Sequence, residues 1–563
     1  MNDWKSLYNE WTTNALEDKD LIKELEAIRN DEIKIKDAFY QDLKFGTGGL
    51  RGKIGAGTNR MNVYTVAKAT QGLASYIIHN FPKNQHIVAI SYDSRVKSDL
   101  FAKVTAGVFA ANNIKVSIYS TLMPVPCLSY AVRQLHCAAG VMITASHNPS
   151  VYNGYKVYGN DGCQITTEAA KNIQSEIAKV DIFQGVKRKR FDEGINDNTI
   201  SYIPEVVFDQ YVKDVKEETL LHPEDHVDKN VNIIYTPLNG SGLVPVLRVL
   251  KESGYNNITV VKEQEKPDGL FPTCPYPNPE VREAMELGVA YAKKYDADLL
   301  LATDPDCDRV GIAVKDNEDN YILLTANETG MLLLDFICKQ RIKYNEMPVN
   351  PVFMKTIVTI DMAERIASKY GLRTVNTLTG FKFIGEQIGL LEKEGRKESY
   401  IFGFEESYGY LSGTYVRDKD GVNASLLICD MFSYYKSHGI SLYNQLNKLY
   451  DEYGYCLNTQ HSFKYEGPSG MERMQSIMDN LRQPISMFGD KKVLKTNDYS
   501  IGVDGLPKSN VIKFFLQDHC SIVVRPSGTE PKLKIYISIS AKDKSLAQKE
   551  ETKLFNELRT YLD

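Results

Sequence analysis

Short apolar runs alternate with longer amphipathic stretches through most of this chain. The run His86-Ile87-Val88-Ala89-Ile90 closes on Tyr92-Asp93-Ser94-Arg95, and a helix-spaced segment over 98–112 follows. Next come the alternating Ile114-Lys115-Val116-Ser117-Ile118-Tyr119 and the uninterrupted Ala139-Gly140-Val141-Met142-Ile143. Apolar runs of this length bounded by turn signals predict buried strands, and helix-period segments between them predict the crossovers of a largely parallel sheet. The same order returns twice. Residues 232–236, a helix from about 242, 258–261 and 298–302 make a second set, and 352–360, 372–377 and 400–403 make a third. Residues 5–43 carry helix-like spacing rich in Glu and Lys and predict an N-terminal helical extension, followed by a further helix over 64–79. Beyond about 455 the pattern turns to mixed strands and helices, with a hairpin-like pair at 521–524 and 532–536.

The pattern predicts an α/β protein: three similar mixed, mainly parallel α/β domains plus a smaller α+β C-terminal domain around a central cleft. The expected domains are 1–205, 206–325, 326–452 and 453–563. In each of the three α/β sets the third strand runs into a polar loop, and in open α/β sheets ligands bind at such strand ends.

Composition narrows the class. At 563 residues, 43% hydrophobic and 25% charged, the chain is an ordinary multi-domain globular protein, and a net charge of -5 argues against nucleic acid as a partner. The run Lys187-Arg188-Lys189-Arg190, close to Asp181, Asp192 and Glu193, reads as a solvated surface turn. Nine cysteines without a C-x-x-C pair fit reduced thiols and a cytoplasmic location. No stretch approaches the roughly 20 apolar residues of a membrane helix, and the N-terminus carries no apolar leader. The expected partner is a small molecule, with no nucleic acid and no membrane, and the expected state is a monomer or weak homo-oligomer.

Asp304, Asp306 and Asp308 alternate behind a buried strand, so their carboxylates can converge on a hard, oxygen-liking cation such as Mg²⁺. An EF-hand is excluded, because its sixth and twelfth positions are Arg309 and Lys315. Arg309 beside such a cation suits a phosphate oxygen. The turn from Arg525 to Lys532 gathers Arg525, Ser527, Gly528, Thr529 and Lys532, the donors a phosphate takes.

The glycine-rich loop from Gly46 to Gly52 is not a Walker A loop, since Thr47 and Ile54 stand where glycine and Ser or Thr are required. It is expected to be a tight turn that presents Arg51. Ser146 beside His147 invites a serine-hydrolase reading, but no G-x-S-x-G elbow is present. Side chains of neighbours on a strand-like turn are also expected to point apart. Lys156 follows closely in Asn153-Gly154-Tyr155-Lys156, while Thr379-Gly380-Phe381-Lys382 and Glu405-Glu406-Ser407 offer hydroxyl and carboxylate partners suited to sugar hydroxyls.

Taken in order, Phe45-Gly46-Thr47-Gly48-Gly49-Leu50-Arg51-Gly52, Thr144-Ala145-Ser146-His147-Asn148-Pro149, the 304–309 loop and the 525–531 loop resemble those of the α-D-phosphohexomutases. Within that family the chain resembles the phosphoglucomutase type with an extended N-terminal region. The resemblance implies a four-domain, heart-shaped enzyme that interconverts glucose 1-phosphate and glucose 6-phosphate, with glucose 1,6-bisphosphate as intermediate and activator. It implies that Ser146 carries the phosphoryl group and that Asp304, Asp306 and Asp308, with a phosphoserine oxygen of Ser146, hold Mg²⁺. Lys156, Arg51 and His147 would flank the transferring phosphate, with Lys156 the first choice as general base and His147 the second. Thr379, Gly380, Phe381, Lys382, Glu405 and Ser407 would recognise the sugar, and the 525–532 loop the phosphate that is not transferred. Cys307 departs from the small Ala or Gly usual between those metal ligands. A phosphopentomutase and a metal-dependent phosphosugar phosphatase are the alternatives.

Overall fold

A computed structural model describes residues 3–46, 48–465, 467–503, 505–527 and 532–562, with the side chains of 467 and 468 left aside. Three short helices open the chain, Trp4–Asn14, Lys19–Ala27 and Glu32–Phe39, each started by an aspartate side chain (Asp3, Asp18, Asp31) that accepts a backbone N–H of the first turn. Their apolar faces close on Trp11, which is fully buried and meets Phe39, Tyr64 and Phe183 edge-on. The helical extension is therefore packed onto the first α/β unit.

That unit is built on a six-stranded sheet ordered Gly49–Lys53, Tyr152–Gly159, Ala139–Ile143, Ile87–Tyr92, Lys115–Ile118, Ile200–Tyr202. The strands 87–92, 115–118, 139–143 and 200–202 run parallel, joined by the crossovers the sequence predicts. Two antiparallel strands extend the sheet beyond Ala139–Ile143, and one of them corrects an expectation. The segment from Gly49 to Lys53 is an edge strand, not a free turn, and Arg51 pairs with Gly154 within it. Glycine disguises it: a Cβ on Gly49 would lie 1.8 Å from the Tyr155 carbonyl oxygen, so the strand can approach its neighbour only without a side chain there.

The second sheet is ordered Tyr321–Leu324, Val310–Lys315, Leu299–Thr303, Ile233–Thr236, Ile258–Val260, and the third Arg373–Thr377, Val352–Thr356, Tyr400–Glu405, Gly409–Leu411. Each pairs parallel strands with an antiparallel hairpin at one side. The β-branched run over 352–360 predicts one long strand, but the strand stops at Thr356. The chain turns there, with the Thr359 amide on the Thr356 carbonyl. A fourth, wholly antiparallel sheet holds Tyr455–Lys464, Lys532–Ala541, Ser521–Pro526, Ile512–Leu516, Lys491–Asp498 and Met487–Phe488. The helices Gly467–Leu481 and Lys544–Leu562 cover it, and it has an apolar core of its own.

One apolar core runs through parts of all three α/β units, so they are packed as a block. The fourth sheet joins that block through Ile357, Val358 and Leu378 on one side and Tyr499, Val511, Val523 and Tyr536 on the other. Beside this patch, Lys513 and Ser521 of the fourth sheet reach Asp361 at 2.8 and 2.7 Å. The basic run near 190 is engaged in surface ion pairs: Arg188 with Glu17, Lys189 with Asp197 and Arg190 with Asp192. All nine cysteines are buried and unpaired. Among the described residues no helix is long and apolar enough to cross a membrane.

Candidate active site

The strand Ala139–Ile143 is buried at every position and delivers Ser146 to the end of the first sheet. Ser146 takes a left-handed backbone conformation, φ 53°, and its amide donates to Thr144 Oγ1 at 2.8 Å. Its hydroxyl donates to Asp304 Oδ2 at 2.9 Å and lies 3.1 Å from His147 Nδ1. The side chains of Ser146 and His147 thus meet instead of pointing apart. A left-handed residue breaks the alternation that a strand-like turn would impose. Burial, with the positive charges of Arg309, Arg51 and Lys156, holds the His147 imidazole well below its ordinary pKa. It is neutral at physiological pH.

Facing the serine, the hairpin between Leu299–Thr303 and Val310–Lys315 carries the three aspartates. Asp304 Oδ1 accepts the backbone N–H groups of Asp308 and Arg309, both at 3.1 Å, which folds the loop back on itself. The carboxylates of Asp304, Asp306 and Asp308 are buried, and one oxygen from each lies within 4.8 Å of the others. Burial and the charges of its two partners push the Asp304 carboxyl well up. Buried Asp306 Oδ1 and Asp308 Oδ1 have no hydrogen-bond partner. Orphaned buried acceptors are costly, and an all-oxygen set of this kind fits a hard divalent cation.

Cations ring the aspartates. Lys156 Nζ, on the strand Tyr152–Gly159, donates to Asp306 at 2.8 Å and approaches Asp308 at 3.4 Å. Burial opposes the lysine's charge, but Asp306 and Asp308 outweigh it and hold the ammonium protonated above its ordinary range. Arg309 pairs with Glu280, and its Nε stands 3.8 Å from Asp308 Oδ1. Arg51 reaches Asn148 Oδ1 at 3.4 Å, beside the serine.

A further cation escapes the sequence reading: Lys419 Nζ lies 3.3 Å from Asp308 Oδ2 and 3.1 Å from Asp418 Oδ1. Its loop is braced from other elements by Tyr158 on Asp418, Tyr211 on Asp420, and Ser129 under the Arg417 amide. The dense charge of Arg417-Asp418-Lys419-Asp420 was the available signal. Burial would raise the Asp308 carboxyl, but Lys419, Lys156 and Arg309 together hold it well below the carboxylate range.

Glu405 ends the strand Tyr400–Glu405 and accepts the Gly380 amide at 2.8 Å, which ties the two expected sugar loops together. Burial pushes its carboxyl up to about 7 against the pull of Lys419. Gly380 caps the helix Phe381–Lys393 with φ 117°, a conformation that favours glycine. The Phe381 ring lies 5.7 Å from Lys419 Nζ, which in turn reaches Asp308, so this helix start adjoins the aspartate loop. Lys382 is buried, 5.2 Å from the Phe383 ring, and its carbonyl accepts from the Cys163 thiol. Thr379 Oγ1 is buried without a partner.

Ser407 sits in the three-residue turn that closes the 400–411 hairpin, while neighbouring Glu406 turns away to accept from Thr356 and Thr359. In the fourth sheet, Arg525 Nε is buried without a partner and the Ser527 amide meets the Lys532 carbonyl. Gly528 and Thr529 lie outside the described residues. Tyr536 of the neighbouring strand packs with Ile357, Val358 and Leu378, so this sheet lies against the third unit.

The buried serine, the aspartate triad and Lys419 thus come from three α/β units and meet in one site. The chain belongs to the phosphoglucomutase/phosphomannomutase family: residues 42–182, 209–317 and 325–453 match its α/β/α domains I, II and III. It is 35% identical over 547 residues to a phosphoglucomutase of Staphylococcus saprophyticus, covering 95% of this chain and 96% of that one. It is 34% identical over 555 residues to the phosphoglucomutase of Staphylococcus epidermidis, covering 96% and 98%. Its fold superposes on Paramecium pp63/parafusin in an open form (TM-score 0.68, 18% identity, 93% and 95% covered). It also superposes on a phosphoglucomutase/phosphomannomutase family protein of Burkholderia thailandensis (TM-score 0.68, 16% identity, 92% and 97% covered).

Proposed function

We propose that the enzyme is a phosphoglucomutase: an isomerase that interconverts glucose 1-phosphate and glucose 6-phosphate through a phosphorylated Ser146. The observation that carries this reading is the Ser146 hydroxyl on Asp304, within a buried carboxylate triad ringed by Lys156, Arg309 and Lys419. Phosphoryl transfer needs positioning and charge neutralisation more than elaborate nucleophile machinery, and this site is built for both. The staphylococcal relatives, alike over nearly their whole length, are phosphoglucomutases by name.

In the proposed cycle the Oγ–P bond of phosphoserine breaks as a hydroxyl of the bound sugar phosphate takes the phosphoryl group. The resulting glucose 1,6-bisphosphate turns end for end and returns its other phosphate to Ser146. Asp304, Asp306 and Asp308 would hold a divalent cation, with magnesium suited to an all-oxygen set, whose charge would offset that of the transferring phosphate. Arg309, Arg51 and Lys419 supply fixed positive charge. Lys156 is the first candidate to take the proton of the attacking hydroxyl, a role that requires its ammonium, held protonated by Asp306 and Asp308, to give up its own proton first; neutral His147, already on Ser146 Oγ, needs no such step and is the second. Glu405, Ser407 and the 379–382 turn would hold the sugar, and Arg525, Ser527 and Lys532 the distal phosphate. The buried, unpaired cysteines suit a reducing compartment, and the cytoplasm is the proposed location.

A coupled assay comparing glucose 1-phosphate, mannose 1-phosphate and ribose 1-phosphate, with and without Mg²⁺ and bisphosphate, tests this. Turnover should be fastest on glucose 1-phosphate and should need both additions. Release of inorganic phosphate at rates rivalling isomerisation would overturn the proposal.

A further inference from the structure

A left-handed L-residue is costly unless its surroundings hold it, and the buried pair Asp93–Arg95 holds the Ser146 carbonyl directly and its amide through Thr144. The Ser146 amide donates to Thr144 Oγ1, and that hydroxyl in turn lies 2.6 Å from Asp93 Oδ2 and 3.2 Å from Asp306 Oδ2. The Ser146 carbonyl accepts from Arg95 Nη2, which also bonds the Asn148 carbonyl. Arg95 Nη1 takes the carbonyls of Pro149 and Tyr152, each at 3.0 Å. One guanidinium thus gathers three carbonyls of the turn that carries the serine and that of Tyr152, where the next strand begins.

Arg95 and Asp93 are themselves fixed. Their side chains are wholly buried, 3.4 Å apart, and Asp93 also accepts from Ser98 Oγ and from the Arg95 amide. The Phe271 ring of the second unit lies 5.0 Å from the guanidinium, and Gly269 bridges the Arg95 backbone. A Cβ on Gly269 would lie 2.4 Å from Val96 N, so this covering loop closes tightly over the pair.

We propose that Arg95, working with Asp93, is the positioning residue that aims Ser146 Oγ, and that it governs transfer of the phosphoryl group to sugar instead of water without setting substrate affinity. The proposal rests on Ser146 being the phosphate carrier. A planar guanidinium can serve carbonyls on two of its edges at once, which a lysine ammonium cannot reproduce. The groups proposed to hold the sugar and the distal phosphate lie on other units, so substrate binding does not depend on this clamp.

The test compares Arg95→Lys, Thr144→Val and Ser146→Ala with the wild type, each normalised to folded protein by circular dichroism and thermal melting. For each, kcat and KM for glucose 1-phosphate are measured. For the variants that keep Ser146, phosphate release from the phosphorylated enzyme without sugar is measured as well. Arg95→Lys should lose about 100-fold in kcat, the usual result of displacing a reacting group by about 1 Å, with KM unchanged. Its ratio of phosphate release to sugar transfer should rise. Thr144→Val, which cuts the link from Asp93 to the Ser146 amide, should move both quantities in the same direction by less.

If Arg95 were merely structural, kcat per folded molecule and the release ratio would stay at wild-type values, and that result would overturn the proposal. Should Arg95→Lys not fold, wild-type values for Thr144→Val would overturn it equally. Normal turnover by Ser146→Ala would instead sink the carrier reading itself, whereas an inactive Ser146→Ala beside a normal Arg95→Lys would sink only this inference.

Discussion

Replacing Glu405 with Gln should make the protein more stable and less active, and the stability gain should appear only as pH rises. Burial raises the Glu405 carboxyl from an ordinary 4.5 to about 7, and Lys419 offsets only part of this. The folded state therefore binds this proton more tightly than the unfolded chain. Below pH 4.5 the group is neutral in both states and costs nothing. Between 4.5 and 7 the wild type loses stability at about 1.36 kcal/mol per pH unit, and above 7 the loss levels off at about 3 kcal/mol.

Glutamine keeps an oxygen for the Gly380 amide and carries no charge, so its advantage over the wild type should grow by about 2.5 kcal/mol between pH 5 and pH 8. In scanning calorimetry that is a widening of roughly 5–10 °C in the midpoint of the transition containing the third unit, at about 2–4 °C per kcal/mol. In the coupled assay the same variant should lose about tenfold in kcat/KM, the difference between a charged and a neutral hydrogen-bond acceptor for a sugar hydroxyl. A stability gap that does not change with pH, or a variant less stable than wild type at pH 8, would show that burial does not raise the Glu405 carboxyl.

Three further outcomes are expected. Lys156→Met should lower kcat by about 10²–10⁴-fold, the usual worth of a general base, whereas His147→Gln should cost less and leave the pH–rate profile unchanged between pH 6 and 8. That follows because burial already keeps His147 neutral across this range, and a profile limb near pH 6.5 that vanishes in His147→Gln would contradict it. Asp361→Asn should lower the thermal midpoint and expose the junction of the third and fourth units to protease. It strips buried Lys513 and Lys355 of a shared carboxylate, and breaking such a pair costs about 3–5 kcal/mol. An unchanged midpoint would count against that junction as a source of stability.

Much of this architecture is legible in the sequence, because buried parallel strands are apolar runs that end abruptly in polar loops. Ser146 and the three aspartates stand out for that reason. The antiparallel strands Gly49–Lys53 and Tyr152–Gly159 do not, since glycine serves there for close backbone approach. A Cβ on Gly154 would lie 2.4 Å from the Thr144 carbonyl and 2.9 Å from that of Leu50. Such segments look like turns.

Arg95 and Lys419 are hidden for another reason. The carbonyls that Arg95 gathers begin 51 residues further along the chain, and Lys419 meets Asp308 across two units. Their roles come into being only when the units pack. The expectation for His147 failed locally: a single left-handed residue turned its imidazole onto its neighbour's hydroxyl.

Whether Ser146 carries the phosphate can be read from a pulse and chase of the enzyme. Enzyme labelled with radioactive glucose 1,6-bisphosphate and digested should carry its label on the peptide containing Ser146. Unlabelled glucose 1-phosphate should remove that label at least as fast as kcat. Label on another residue, or label on Ser146 that leaves more slowly than turnover, would show that Ser146 is not the carrier.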